Sequence, residues 1–188
     1  AEIQLRRLAK FAESEFAALA SSTRKLALQL STAIESVAVM GMGLKSILAY
    51  EVDGLGGFKL QDDANYPSLL ALPFLGGQRN LLYRQTREFC LSAANPWFFS
   101  GPHGSGVGSP HTGESMIWPL AIAMQGITAD KPADQLAALR LIERTRSSNG
   151  FIHESFDVSN PERFTRDWFS WAEMTYAELA FSLAEPTR

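Results

Sequence analysis

Apolar residues at Leu5, Leu8, Phe11, Ala12, Phe16 and Leu19 recur at intervals of three and four, the spacing of one buried helical stripe. Ile3 to Met40 contains neither glycine nor proline, so nothing in it breaks helical geometry. Ser21, Ser22 and Thr23 divide the segment and supply caps for a second helix. Its apolar face is read as Leu26, Leu30, Ile34 and Val37, with an end near Gly41 and Gly43. From Leu44 to Leu60, β-branched and aromatic residues flank a turn at Asp53 to Gly57, which predicts a short hairpin or loop. Pro67 and Pro73 bound a short apolar run and predict the start and end of a short helix.

Further along, Leu81 to Ser92 reads as a helix, and Asn95 to Gly113 as a long loop punctuated by Gly, Pro and Ser and carrying His103 and His111. Glu114 to Thr128 is apolar on most sides and predicts a buried helix with Trp118 and Pro119 in its first turns. Pro132 to Arg146 is amphipathic, with Leu136, Leu139, Ile142 and Glu143 on neighbouring turns. A last helix is predicted over Arg166 to Leu183, ended by Pro186. The pattern predicts an all-α chain whose loops bear the polar groups. It contains no internal repeat and no strand-helix alternation that would build a parallel sheet.

Composition narrows the function classes. The chain has 188 residues, 46% of them hydrophobic, which is enough for one core, and residues 1–188 are read as a single domain without an internal boundary. A net charge of -3 with scattered basic residues argues against nucleic acid as a partner. Cys90 is the sole cysteine, so neither an internal disulfide nor a cysteine-based zinc site can form. No run approaches the roughly 18 apolar residues of a membrane span, so no membrane partner is expected. The opening AEIQLRRLAK lacks the apolar centre of a signal peptide, but a chain starting at Ala1 leaves both a cytoplasmic and an exported location open.

The candidate chemistry concentrates in Asn149 to Trp171, where Glu154 stands between His153 and Ser155 and is followed by Arg166, Trp168 and Trp171. Carboxylates that move protons, polar groups for hydroxyls and aromatic faces for pyranose rings together suit a sugar site. The competing reading is a loop whose aromatics dock on the core. Other chemistries fail on spacing. His153-Glu154 lacks the second histidine of a zinc-peptidase helix, since Asp157 stands there. The glycine-rich run GPHGSGVGSPHTG lacks the Lys and Ser/Thr ending of a phosphate loop, and no Gly-x-Ser-x-Gly elbow is present. The loop carboxylates Glu51, Asp53, Asp62, Asp63 and Asp157 suit caps and turns as well as they suit a site.

Five ordered motifs go further: YEVDGLG (Tyr50 to Gly56), DDANYPSLLALPFLG (Asp62 to Gly76), GSPHTGESMIWPLAIAMQ (Gly108 to Gln125), HESF (His153 to Phe156) and FTRDWFSWAE (Phe164 to Glu173). Together they resemble glycoside hydrolase family 125, exo-acting and metal-independent α-mannosidases that invert the anomeric centre and prefer α-1,6 linkages. The resemblance implies a partial (α/α)6 barrel of helical hairpins with long functional loops, this chain being its C-terminal half. It also implies that Glu154 is the general base, that the general acid is an Asp in the N-terminal half, and that neither metal nor other cofactor takes part.

Within these motifs, Asp62, Asp63, Asn65, His111 and His153 have the donors and acceptors to bind mannose hydroxyls, a capped turn being the alternative for the first three; Trp118 or Trp168 would form a stacking wall, against core packing as the alternative; and Arg166 would support the base. The implied partners are a mannose-containing oligosaccharide or N-glycan and the N-terminal half, without which the chain is expected to be inactive. The alternative is a non-catalytic carbohydrate-binding or interaction module derived from such an enzyme, which binds without hydrolysing.

Overall fold

The computed structural model describes residues 1–184, so the predicted stop at Pro186 lies outside the described residues. Two helices open the chain, α1 (Glu2–Phe11) and α2 (Ala17–Val37), joined by a tight turn and packed on each other. Their contact is made by small residues: Ala9, Ala12, Ala20, Thr23 and Ala27 are the buried positions. The predicted apolar stripes therefore require correction. Leu8, Phe11, Phe16 and Leu19 of the first, and Leu26, Ile34 and Val37 of the second, are all exposed, Phe11 at 83%. Periodicity identifies a helix with an apolar face, but which face packs depends on what lies opposite, and here alanines allow the closer approach.

Short hairpins follow, built where glycines permit reversal. Strands β1 (Val39–Met42) and β2 (Lys45–Leu48) pair antiparallel around Gly43, whose φ of 62° lies in the left-handed region glycine tolerates. Strands β3 (Glu51–Val52) and β4 (Phe58–Lys59) pair around the predicted turn, where the Asp53 carboxylate accepts hydrogen bonds from the Leu55 and Gly57 amides. The short helix expected between Pro67 and Pro73 is a series of turns instead. Its backbone amides are taken by side chains, with Leu69 N and Leu70 N donating to Asp62 and Ala71 N to Ser68.

Helix α3 (Leu81–Cys90) is capped by Asn80, whose side chain accepts from Tyr83 N. The predicted loop after it contains a hairpin of β5 (Phe98–Gly101) and β6 (Gly104–Val107). Next, β7 (Met116–Ile117) precedes α4 (Pro119–Ile127), which begins three residues after the strand pairing starts because Pro119 occupies its first turn. Helix α5 (Pro132–Thr145) leads to β8 (Ser155–Asp157) and β9 (Asn160–Thr165), and α6 (Ser170–Ala184) closes the described chain. Strands β7, β8 and β9 form a three-stranded antiparallel sheet in that order.

Helices thus dominate and carry the core, while the all-α expectation, which allowed a hairpin only within Leu44 to Leu60, omitted β5 to β9, whose strands of two to six residues are too short to leave a period-two signal. Among the described residues no helix is long and apolar enough to cross a membrane.

Helix α4 is the centre of packing: Leu120, Ala121, Ile122, Ala123 and Met124 are all buried, joined by Ile117, Trp118, Ile142, Phe156 and Leu179. Gly126 lets α5 and α6 close on it, since a Cβ there would stand 2.9 Å from Ala138 Cβ and 2.8 Å from Leu179 Cδ1. Gly126→Val is expected to force these helices apart and cost about 1–3 kcal/mol by overpacking. Thermal unfolding of the full-length protein should show a lowered midpoint; an unchanged one would mean that the three helices part without cost.

Candidate active site

Glu154 sits at the entry to β8, where the chain is fixed from two directions. Its amide hydrogen is shared between the carbonyls of Thr165 (3.1 Å) and Arg166 (3.3 Å), which ties it to the end of β9. Just upstream, Ile152 donates its amide to Glu173 Oε1 of α6 at 2.7 Å and accepts from the Phe169 amide at 2.9 Å. Just downstream, Ser155 and Thr165 join through their hydroxyls at 2.7 Å, and Phe156 is wholly buried in the core. The backbone that carries Glu154 therefore has little positional freedom.

The charge environment of Glu154 differs from that of the carboxylates around it. Asp157 accepts from Arg163 Nη1 at 2.8 Å and from Ser159 N at 2.7 Å, and Glu173 is occupied by Ile152 N. Glu154 has Arg166 Nε 3.6 Å from its Oε2 and, among the described residues, accepts no hydrogen bond. Its side chain is 12% exposed, so this carboxylate is mostly buried while its acceptor positions stay unused. Arg166 reaches it from a backbone turned to φ 44°, and its guanidinium lies 5.7 Å from the centroid of the Phe169 ring. That turn also corrects the start of the last helix: residues 166–169 lie outside α6.

The other sequence-predicted residues divide into three groups. Asp63, Asn65 and His111 come together: Asp63 Oδ1 accepts from the amide and side chain of Asn65, and Asn65 Nδ2 donates to Ser109 Oγ, which also accepts from His111 N. This cluster is held down by the Ala64 amide on the Gly108 carbonyl at 3.0 Å. Gly108 is required there, because any Cβ would collide with the Met116 carbonyl oxygen and the Phe99 ring.

Asp62, His153 and Trp118 are buried in this chain. Asp62 accepts from Leu69 N at 2.8 Å and Leu70 N at 3.0 Å, while its own amide donates to Asn95. Burial nevertheless raises its carboxyl to about 6 against the pull of those amides and of the Cys90 thiol. His153 is 0% exposed, stacked on Phe164 at 4.7 Å, and neither ring nitrogen has a hydrogen-bond partner. Burial pushes it down to about 4, with the Thr145 backbone pulling the other way from outside hydrogen-bond geometry. Trp118, 2% exposed, donates its indole N–H to Thr112 Oγ1 at 2.8 Å and meets Phe169 edge-on. Its ring is not open for stacking in this chain, whereas Trp168, 57% exposed, presents a free surface.

Sequence reasoning missed the connecting residues. Phe169 lies between Trp118 and Arg166, and Tyr66 and Phe74 extend the row from Phe169 through Trp171, a residue the sequence already marks. Ser109 and Thr112 tie the Asn65 and His111 cluster to Trp118. All of them stand inside the quoted motifs beside residues that were singled out, so adjacency was the available signal. Among the described residues no three His, Cys, Asp or Glu side chains gather in a way that could hold a metal ion.

Comparison with known proteins identifies what the chain is similar to. The family profile described as metal-independent α-mannosidase (GH125) matches residues 1–181. A solved Streptococcus pneumoniae structure, described as a metal-independent α-mannosidase in a non-productive complex with α-1,6-mannobiose, superposes with a TM-score of 0.92. It is 33% identical, with 97% of this chain and 45% of that chain covered. The meiotically up-regulated gene 157 protein of Schizosaccharomyces pombe is 42% identical over 142 residues, which is 74% of this chain and 28% of that protein. The chain therefore spans less than half the length of either relative.

The two buried titrating groups give opposite pH dependences. Asp62, raised to about 6, contributes stability that is present below its unfolded value of 3.8 and lost as pH rises through about 6. His153, lowered to about 4, contributes stability that is present above 6.5 and lost as pH falls through about 4. Between pH 4 and 6 they offset each other. Relative to wild type, Asp62→Asn should therefore make the thermal midpoint climb more steeply across that range, and His153→Phe should make it climb less or fall. Both variants tracing the wild-type profile would show that neither group titrates with these values.

Proposed function

The chain belongs to glycoside hydrolase family 125, the metal-independent α-mannosidases, and from that membership we propose that it supplies the general base of an enzyme removing non-reducing terminal α-1,6-linked mannose with inversion. The observation that carries the reading is Glu154 itself: a nearly enclosed carboxylate, fixed through its backbone, with an arginine beside it and its acceptor positions unused. In this role Glu154 takes a proton from water as that water attacks the anomeric carbon, and the glycosidic oxygen leaves with a proton from a second carboxyl. Inversion places the two carboxyl groups roughly 6.5–9.5 Å apart, with the water between Glu154 and the sugar.

Asp63, Asn65 and His111 form the cluster assigned to mannose hydroxyls, and Trp168 the open stacking face. Asp62, His153 and Trp118 act from behind, holding the turn at 68–71, the strand bearing Glu154 and the ring of Phe169. Arg166 keeps its supporting role. An oligosaccharide ligand of this class is supported by the α-1,6-mannobiose bound to the streptococcal relative.

The second carboxyl is assigned to the portion of the relatives that this chain does not span. Residues 1–188 are then the C-terminal half of one (α/α)6-barrel domain. Exposed Phe11, Leu28, Met174 and Phe181, on α1, α2 and α6, are the apolar surface the other half would cover.

Two experiments test the proposal. In the full-length enzyme, Glu154→Gln should lower kcat on α-1,6-mannobiose by about 10²–10⁴-fold, the usual contribution of a general base, with KM little changed. Retained turnover would move the base elsewhere. Separately, the isolated 188-residue chain should hydrolyse nothing; normal turnover by it would mean that both carboxyl groups are present in these residues. Binding of mannobiose by the full-length protein without any hydrolysis would identify a non-catalytic module.

A further inference from the structure

Where α3, α4 and α5 meet, a cleft of about 420 Å³ opens, lined by Arg87, Gln125, Asp134, Arg140 and Arg144 over Ile122. We propose that this cleft is a second ligand site that binds a phosphate monoester, with Arg87, Arg140 and Arg144 on the phosphate and Asp134 on a hydroxyl of the esterified group. None of these residues belongs to the site around Glu154, so the proposal does not depend on the mannosidase reading.

The cleft gathers three of the five arginines that lack a carboxylate partner among the described residues, Arg7 and Arg84 being the other two. Arg6, Arg24, Arg79, Arg146, Arg163 and Arg166 each pair with a carboxylate. Arg87, Arg140 and Arg144 have no carboxylate partner among the described residues, and Asp134 forms no ion pair there either. Arg140 and Arg144 stand one turn apart on α5, where like charges repel and weaken a helix. Three guanidinium groups against one carboxylate leave an excess of two positive charges in a protein whose net charge is -3.

Geometry favours a fixed rather than a diffuse anion site. Arg87 reaches across from α3 and donates Nη2 to the Gln125 carbonyl at 2.8 Å, which orients its guanidinium, while its Nε has no acceptor. Guanidinium forks match the oxygens of a phosphate better than a single carboxylate can, because each fork engages two oxygens at once. Ile122 forms a buried apolar floor beneath a half-buried Arg87, with Asp134, Arg140 and Arg144 exposed at the rim. Asp134 would repel a bare anion but accepts readily from a hydroxyl, which is why the ligand is assigned as an ester and not as inorganic phosphate. The volume is that of a small-molecule site.

The test is calorimetric titration of the full-length protein with glucose 6-phosphate and, in a parallel arm, inorganic phosphate, at constant ionic strength set with chloride. Saturable binding of the sugar phosphate is expected, at least tenfold tighter than inorganic phosphate. The double variant Arg140→Gln/Arg144→Gln should weaken it at least tenfold. Asp134→Asn should tighten inorganic phosphate several-fold, a gain that misfolding cannot produce. The proposal fails if neither probe saturates, if the double variant binds like wild type, or if the two probes bind equally, which would leave only a general anion site.

Discussion

Burial of α4 is the constraint on which the rest of the molecule depends. A nine-residue helix with apolar side chains around most of its circumference has no solvated face, so other elements must cover it. Helices α5 and α6 do so at the close approach that Gly126 permits, and the sheet of β7, β8 and β9 covers its entry end. Phe156, buried in the same core, pins β8, and Glu154 is two residues away. The position of the candidate base is thus inherited from hydrophobic packing through two residues of strand.

Electrostatics then distinguishes this carboxylate from its neighbours. Asp62 and Asp157 are also enclosed, but each is saturated by donors, and such a carboxylate holds structure together. Glu154 has an arginine near it without a hydrogen bond to it. Attraction without saturation leaves lone pairs for a proton that arrives from outside the protein. The polar cluster of Asp63, Asn65, Ser109 and His111 connects to it through Thr112, Trp118, Phe169 and Arg166, a run of contacts from three separate segments of the sequence.

How much of this the sequence discloses varies with the physics behind each feature. Helix α5 is legible because an amphipathic 3.6-residue period and a proline in its first turn are local properties. The burial of alanines on α1 and α2, with leucines and phenylalanines outward, is not local: it depends on which surface meets which. The turns at 68–71 depend on Asp62, six or more residues away, competing for backbone amides that a helix would have used. At the site, the motifs name Asp63, Asn65 and His111, which the fold gathers in one hydrogen-bonded cluster, and His153 and Trp118, which carry the residue types of sugar contacts and are buried in this chain. Residue type reports chemical capacity, and only burial reports whether a ligand can reach it.

Arg166 combines two demands in one position. A left-handed backbone conformation costs a non-glycine residue about 1–2 kcal/mol, and a glycine would relieve that cost while deleting the guanidinium beside Glu154. A screen for heat resistance and a screen for turnover would then select different residues at 166, and a library scored on either property alone would misjudge the other.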